Sequence, residues 1–256
     1  MSGSRWFWVG TSWKMNKTLA EAGAYADCMR VAQRPDAQLF VIPPHTAIAT
    51  VAQGLAGSGV LVGAQDGHWE DAGAFTGAVS AALAKDAGAG ILEIGHSERR
   101  LHFGETDATV NLKVKAALRH QLVPLICIGD TREERDAGAA AEAVIRQAGL
   151  ALSGLAREEV AQCFFAYEPV WAIGAGGTPA SADVVAQVHS ALRRALEEDP
   201  PAGILYGGSV SLENAAELAA LDDVDGLFVG RAGWDAASFL QLASAATMSR
   251  STSRRP

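Results

Sequence analysis

The sequence predicts a single-domain α/β fold, a (β/α)8 barrel, from two observations. Eight short and nearly continuous apolar runs recur along the 256 residues, as expected of parallel strands that are covered on both faces. Between several of them lie segments with apolar residues at three- and four-residue spacing, which is typical of helices. Eight strand–helix units in a chain of this length favour a closed barrel over an open doubly wound sheet.

The strand candidates follow one another along the whole chain. In order they are FWVGTSW (7–13), LFVIP (39–43), VLVGAQ (60–65), ILEIGH (91–96), VPLICIG (123–129), CFFAYEP (163–169), ILYGGS (204–209) and GLFVG (226–230). Helices are predicted over 19–32, 108–121 and 182–198, with Ser181 as the N-cap of the last. We expect one domain over 1–256, and a flexible tail at 248–256 because SRSTSRRP is polar and basic.

Composition narrows the function classes. The net charge of −8 argues against nucleic acid and anionic membrane as partners. No run of 18 apolar residues is present, and the start MSGSRWFWVG does not resemble a signal peptide. The cysteines, Cys28, Cys127 and Cys163, form no CxxC pair and are odd in number, which fits the reducing cytoplasm.

Polar residues and glycines gather where the predicted strands end. They are Lys14, Gln65, His96, Cys127, Glu168, Ser209 and Gly230. Taken singly, a surface lysine, a core histidine or a structural ion pair is the simpler interpretation. Because the carboxyl ends of barrel strands meet at one face, the set together favours an active site.

Several familiar motifs are absent. GAGGTPA lacks the lysine of a P-loop and the GxGxxG spacing, GHSER lacks the last glycine of a nucleophile elbow, and no HExxH occurs. We therefore expect no cofactor, no metal and no covalent serine chemistry. Glu98 and Glu168 could also be read as the two carboxylates of a glycosidase, but Lys14 has no role in that mechanism. A base, an imidazole, an ammonium and glycine-rich strand ends instead suit proton abstraction beside a carbonyl in a phosphorylated small molecule.

Seven motifs carry a specific resemblance. They are SWKMN (12–16), GAFTG (73–77), IGHSERR (94–100), FGETD (103–107), PLICIGDT (124–131), AYEPVWAIGAG (166–176) and YGGSV (206–210). In this order, across nearly the whole chain, they resemble triosephosphate isomerase, whose fold is the TIM barrel. The family is a standard example of a carboxylate base beside a neutral histidine electrophile.

The resemblance implies a role for each catalytic candidate. Glu168 resembles the base that moves a proton between adjacent carbons through an enediolate. His96 resembles the electrophile that polarises the carbonyl, and Lys14 the cation that offsets developing charge. Glu98 resembles the acid that pairs near Lys14.

The resemblance also implies a phosphate site and a lid. Gly174, Ser209 and Gly230 match positions whose backbone N–H groups hold phosphate. The lid has hinges at both ends and a glycine-rich tip, over Pro169, Val170, Trp171, Ala172, Ile173, Gly174, Ala175, Gly176, Gly177, Thr178 and Pro179. Its closure would exclude water and protect the enediolate from loss of phosphate. Gly177 and Pro179 depart from the lysine and alanine that are usual in the second hinge.

Other departures concern the substrate. Ser12 and Asp66 stand where asparagine is usual, and Arg231 replaces the second of two glycines in the phosphate site. Ser12 leaves room for an additional carbon, whereas Arg231 either adds a contact to substrate or faces solvent.

Three functions remain open from the sequence. The first is the triose reaction of glycolysis and gluconeogenesis, dihydroxyacetone phosphate to glyceraldehyde 3-phosphate. The alternative, suggested by Thr11, Ser12, Arg231 and Trp234, is a bacterial branch that converts L-erythrulose 1-phosphate to D-erythrose 4-phosphate. A non-catalytic phosphate-binding barrel is less consistent with the presence of Lys14, His96 and Glu168.

The resemblance predicts a homodimer. Met15 and the loop 66–80 resemble the segments that dock on a neighbouring subunit and brace the active site. Ala78 replaces a glutamate that makes an intersubunit contact, which weakens the expected interface.

Overall fold

The computed structural model describes residues 6–31, 36–173 and 177–253, with side chains as far as residue 248. Eight parallel strands form a closed barrel in chain order, in which β8 pairs with β1. The strands are β1 Trp8–Ser12, β2 Gln38–Ile42, β3 Leu61–Ala64, β4 Ile91–Ile94, β5 Val123–Ile128, β6 Phe164–Tyr167, β7 Gly203–Tyr206 and β8 Gly226–Val229. All eight predicted strands are confirmed, as is the (β/α)8 barrel.

Helices surround the barrel. They are α1 Leu19–Val31, α2 Ile48–Gly54, α3 Ala81–Asp86, α4 Ser97–Phe103, α5 Asp107–Arg119, α6 Arg132–Asp136, α7 Ala140–Ala151, α8 Arg157–Val160, α9 Ala182–Ala195, α10 Ala215–Ala219 and α11 Ala236–Ser253. The three predicted helices correspond to α1, α5 and α9. Ser181 caps α9 as predicted, because its hydroxyl accepts a hydrogen bond from the backbone N–H of Val184.

Two apolar clusters form the core. The larger one lies between the strands and the helices, and the smaller one fills the barrel. The smaller cluster takes alternate strand residues, for example Phe40 and Ile42 on β2 and Leu125 and Cys127 on β5. The same alternation holds at the carboxyl ends of the strands. The last inward-facing residues of the strands therefore meet at one end of the barrel, where the site lies.

The last helix, α11, reaches Ser253, and residues 254–256 lie outside the described part of the chain. The flexibility of the segment 248–256 stays a prediction. None of the described helices combines the length and the apolar character needed to cross a bilayer.

Candidate active site

A cavity of about 350 Å³ opens at the carboxyl ends of the strands. Its walls come from the ends of β1, β4, β6, β7 and β8 and the loops that follow them. They include six of the predicted site residues: Ser12, Lys14, His96, Glu98, Glu168 and Ser209. Gly230 and Arg231 line the same cavity, so the structure brings all the described candidates for catalysis and binding together.

Glu168 follows β6 and is almost fully buried. Burial, and next the neighbouring carboxyl of Glu93, raise the pKa of Glu168 to about 8. Its Oε2 receives no hydrogen bond within the described residues and lies 3.5 Å from Nε2 of His96. Gly207, directly after β7, makes room for it, since a Cβ there would lie 2.7 Å from Cγ of Glu168.

His96 follows β4 at the N-terminus of α4. Its Nδ1 accepts a hydrogen bond from the backbone N–H of Glu98 at 3.1 Å, which leaves Nε2 to carry the proton of the neutral ring. Burial, and next the charge of Lys14, lower the pKa of His96 to about 4. The ring is therefore neutral near pH 7 and directs an N–H donor at the cavity.

Lys14 follows β1 with a positive φ of 53°, which is uncommon for a residue with a side chain. Its Nζ lies 2.6 Å from Oε1 of Glu98. The amide of Gln65 donates to the backbone carbonyl of Lys14 at 2.9 Å, so the β3 end supports this turn. Asp66, in contrast, forms ion pairs with Arg99 and Lys113 at 2.7 and 2.6 Å.

The far wall is formed by the ends of β7 and β8. Gly230 precedes a 3₁₀ turn at Arg231–Gly233, and Ser209 follows the two glycines after β7. The exposed guanidinium of Arg231 lies 6.0 Å from the ring of Trp234. This wall offers backbone N–H groups and one cation, a combination that suits a phosphate group.

Comparison with known proteins agrees with this geometry. The family model for triosephosphate isomerase matches residues 7–246. The chain belongs to the triosephosphate isomerase family. It is therefore an isomerase of the aldose–ketose type, which does not support the alternative of a non-catalytic barrel.

Individual relatives are more specific. The chain is 50% identical over 244 residues to a protein of Brucella abortus named L-erythrulose-1-phosphate isomerase, a match that covers 92% of this chain and 94% of the relative. Proteins of the same name from Mycolicibacterium smegmatis and Rhizobium etli are 50% and 48% identical, over 94% and 97% of this chain and 93% and 96% of theirs.

The predicted lid of this triosephosphate isomerase family member is described only in part. Gly174, Ala175 and Gly176 lie outside the described residues. On the described side, Trp171 donates from Nε1 to Oδ2 of buried Asp130 at 2.9 Å, and Tyr167 donates to Oδ1 of the same carboxylate at 2.8 Å. The hydroxyl of Ser209 donates to the carbonyl oxygen of Ala172 at 2.5 Å. These contacts join the lid segment to β5, β6 and the β7 loop.

Sequence reasoning missed two buried acids beside the site, Asp130 and Glu93. Asp130 holds Tyr167 and Trp171, whereas Glu93 lies on β4 and accepts a hydrogen bond from the hydroxyl of Ser12 at 2.9 Å. The signal for Glu93 was present, because a carboxyl interrupts the apolar run ILEIGH as Glu168 interrupts CFFAYEP. In the described part of the chain, no group of three or more His, Cys, Asp or Glu residues is placed to hold a metal ion.

Proposed function

We propose that this protein isomerises L-erythrulose 1-phosphate by moving its carbonyl to the adjacent carbon. The observation that carries the chemistry is the pair of Glu168 and His96, whose Oε2 and Nε2 lie 3.5 Å apart at the cavity. The choice of substrate is supported by relatives of about 50% identity that bear that substrate in their name. These relatives favour the tetrulose as substrate. The first expectation from the sequence was the triose.

The two substrates share one reacting unit. In dihydroxyacetone phosphate and in L-erythrulose 1-phosphate, a phosphorylated CH₂ is followed by the carbonyl carbon and then by the carbon that loses a proton. The tetrulose differs by a hydroxymethyl group on that last carbon. A site built for the triose therefore needs additional room and a partner for one hydroxyl, at the end away from the phosphate.

The proposed reaction begins at C3 of the tetrulose. Glu168, as base, takes the proton from C3 while the carbonyl at C2 gains negative charge. His96 donates a hydrogen bond from Nε2 to this oxygen and then moves the proton between the oxygens on C2 and C3. Lys14 supplies a fixed positive charge beside the enediolate, and Glu98 holds that ammonium in place through their contact of 2.6 Å.

Reprotonation at C2 then completes the shift. Glu168 returns the proton to C2, and the carbonyl appears on C3. The product of one enediolate step is thus erythrulose 4-phosphate, a ketose, so with this substrate the proton transfer that interconverts aldose and ketose in the family would connect two ketoses. D-erythrose 4-phosphate, the product expected from the sequence, has its carbonyl at the terminal carbon and requires a second shift of the same kind.

For the phosphate, we propose the wall formed by Ser209, Gly230 and Arg231. These residues end or follow β7 and β8, the strands whose loops often bind phosphate in such barrels. The exposed guanidinium of Arg231 adds a cation at the cavity rim. Gly174, in the predicted lid, is proposed as a further backbone donor.

The deciding experiment compares kcat/KM for L-erythrulose 1-phosphate and dihydroxyacetone phosphate on one preparation, with products identified by NMR. We expect preference for the tetrulose and erythrulose 4-phosphate as first product. A preference for the triose would contradict the proposed substrate. If Glu168→Gln loses turnover of the tetrulose and of the triose equally, both activities belong to this site. Turnover of neither substrate would overturn the proposal.

We also propose a homodimer. Met15 is 96% exposed beside Lys14, and Phe75 in the loop 66–80 is 45% exposed, although both are large apolar residues. Exposed apolar side chains next to a catalytic lysine suit an interface with a second copy. Sedimentation equilibrium tests this, and a fully active monomer would contradict it.

For the location we propose the cytoplasm. Cys28, Cys127 and Cys163 are free thiols in the structure. Unpaired cysteines are typical of proteins in reducing compartments. Cell fractionation with an antibody against the chain tests this proposal.

A further inference from the structure

The hydrogen bond between Ser12 and Glu93 crosses the barrel interior below the cavity. It joins Oγ of Ser12, the last residue of β1, to Oε2 of Glu93 on β4 at 2.9 Å. Ser12 lines the cavity, and both residues are almost fully buried, with 5% and 3% of their surface exposed. Ser12 thus reaches the active-site cavity, and Glu93 lies behind it in the barrel interior.

Glu93 is placed where a carboxyl group is costly. Its inward neighbour on β4 is Ile91, and Ile42, Leu125 and Cys127 belong to the same apolar interior. Within the described residues no cation lies at ion-pair distance from it, whereas buried Glu105 pairs with Arg99 and Lys113. Burial raises the pKa of Glu93 to about 8. Since an apolar side chain of this size would suit the interior better, stability alone does not explain the glutamate.

The hydrogen bond fixes the direction of the Ser12 hydroxyl. Its proton points at Glu93, and a protonated carboxyl keeps a carbonyl oxygen that accepts this hydrogen bond as a carboxylate does. The backbone of Ser12 is held as well, because Nε1 of Trp234 donates to its carbonyl oxygen at 3.0 Å. The remaining lone pairs of Oγ are therefore available to the cavity as acceptors.

An acceptor in this position discriminates between ligand groups. It binds a hydroxyl group that donates, and it offers no proton to a carbonyl or phosphate oxygen. The hydroxymethyl group that distinguishes the tetrulose from the triose is such a donor. It is attached to C3, the reacting carbon, at the end of the substrate away from the phosphate.

We propose that Ser12 accepts a hydrogen bond from the terminal hydroxyl of the tetrulose, and that Glu93 is the positioning residue that orients Ser12 for this contact. The inference rests on the proposed function, since it explains how the same site prefers the longer substrate. Ser12 is then the specificity-determining residue, and Glu93 acts through it.

The test measures kcat/KM for L-erythrulose 1-phosphate and for dihydroxyacetone phosphate in four single variants and one double variant. Ser12→Ala removes the acceptor, Glu93→Leu removes its orientation, and Glu93→Gln keeps a carbonyl oxygen for the Ser12 proton. Ile91→Val, one inward position deeper on β4, controls for repacking of the barrel interior. Thermal unfolding of each variant checks the fold, and Glu93→Ala replaces Glu93→Leu if the latter does not fold.

We expect Ser12→Ala to lower kcat/KM for the tetrulose about 10-fold or more, and to change it for the triose less than about 3-fold. Glu93→Leu should have the same selective effect but a smaller one, because the freed hydroxyl still samples the productive direction. Glu93→Gln and Ile91→Val should retain the wild-type ratio of kcat/KM for the tetrulose to kcat/KM for the triose. Adding Glu93→Leu to Ser12→Ala should change the ratio no further.

Two results would overturn the inference. Equal losses on both substrates in Ser12→Ala would mean that the pair supports the site in general, and no loss on either substrate would mean that Ser12 does not contact the additional hydroxyl. If the wild-type protein prefers the tetrulose and the variants keep that preference, only this inference fails. If the wild-type protein prefers the triose, the proposed function fails with it.

Discussion

Oε2 of Glu168 and Nε2 of His96 lie 3.5 Å apart, and burial moves their pKa values in opposite directions, to about 8 and about 4. Both shifts disfavour the charged form of the group. A carboxyl with a raised pKa is a stronger base once it is ionised, and a neutral imidazole can polarise a carbonyl without first losing a proton. One physical cause, removal from water, thus prepares both partners for the proposed proton transfer.

Replacing the proposed base should nearly abolish turnover. Glu168→Gln keeps the size of the side chain but cannot take a proton, so we expect kcat to fall by about 10³-fold or more. Steady-state kinetics with the preferred sugar phosphate measures this. Glu98→Gln should lower kcat less than Glu168→Gln does, since it weakens the contact with Lys14 and leaves the base in place. A loss below about 10-fold in Glu168→Gln would exclude the assigned role.

The pH profile should report the raised pKa of Glu168. Because the base must be ionised, kcat/KM should rise with pH to about 8 and then level off. Glu93 and Glu98 raise this pKa, whereas Lys14 and the thiol of Cys127 lower it. Glu93→Gln should therefore shift the rise to lower pH. A profile that does not move would show that Glu93 has no electrostatic influence on the base.

Glu93 should also make folding stability depend on pH. Its folded-state pKa, about 8, lies above the ordinary value of 4.5, so its contribution is complete below pH 4.5 and is lost as the pH rises toward 8. Glu93→Gln has no such loss. Urea unfolding should show that the variant gains free energy of unfolding relative to wild type between pH 5 and about 8. Parallel profiles for the two proteins would contradict the raised pKa.

The elements that sequence reasoning predicted are those with a local signal. The strands are continuous apolar runs, and Lys14, His96 and Glu168 are polar residues at their ends, so their convergence follows once the barrel is closed. Glu93 also had a local signal, but it stands inside β4 rather than after it and was included in the strand. Its partner Ser12 is 81 residues away along the chain, a pairing that only the closed barrel makes visible.

Asp130 illustrates a different limit. It follows β5 in a glycine-containing turn, where an aspartate is ordinary. Its importance comes from Tyr167 and Trp171, which lie 37 and 41 residues later and both donate to it. No spacing or periodicity in the sequence encodes that relationship.

The proposed interface can be tested at one exposed side chain. Met15→Glu places a charge where we propose that a second copy packs, so it should weaken the dimer and lower activity with it. Sedimentation equilibrium and kinetics over a range of protein concentrations measure both effects. Met248→Glu on α11, where the methionine is also exposed at 71%, is the matched control and should leave association unchanged. Dimerisation unaffected by Met15→Glu would exclude this surface.

The carboxylate of Asp130 should stabilise the base of the predicted lid. Asp130→Asn replaces one acceptor oxygen by an N–H₂ group, so either Tyr167 or Trp171 loses its hydrogen bond in a buried site. We expect the free energy of unfolding in urea to fall by about 1–3 kcal/mol. Asp199→Asn, where an exposed aspartate lies 3.6 Å from Arg157, controls for the change of charge and should cost less than about 0.5 kcal/mol.

Because Trp171 belongs to the lid, loosening it should also let more enediolate decompose, and the ratio of inorganic phosphate released to product formed should rise. Equal free energies of unfolding for Asp130→Asn and Asp199→Asn would contradict the stabilising role of Asp130. An unchanged ratio of inorganic phosphate to product in Asp130→Asn would show that Asp130 does not affect lid closure.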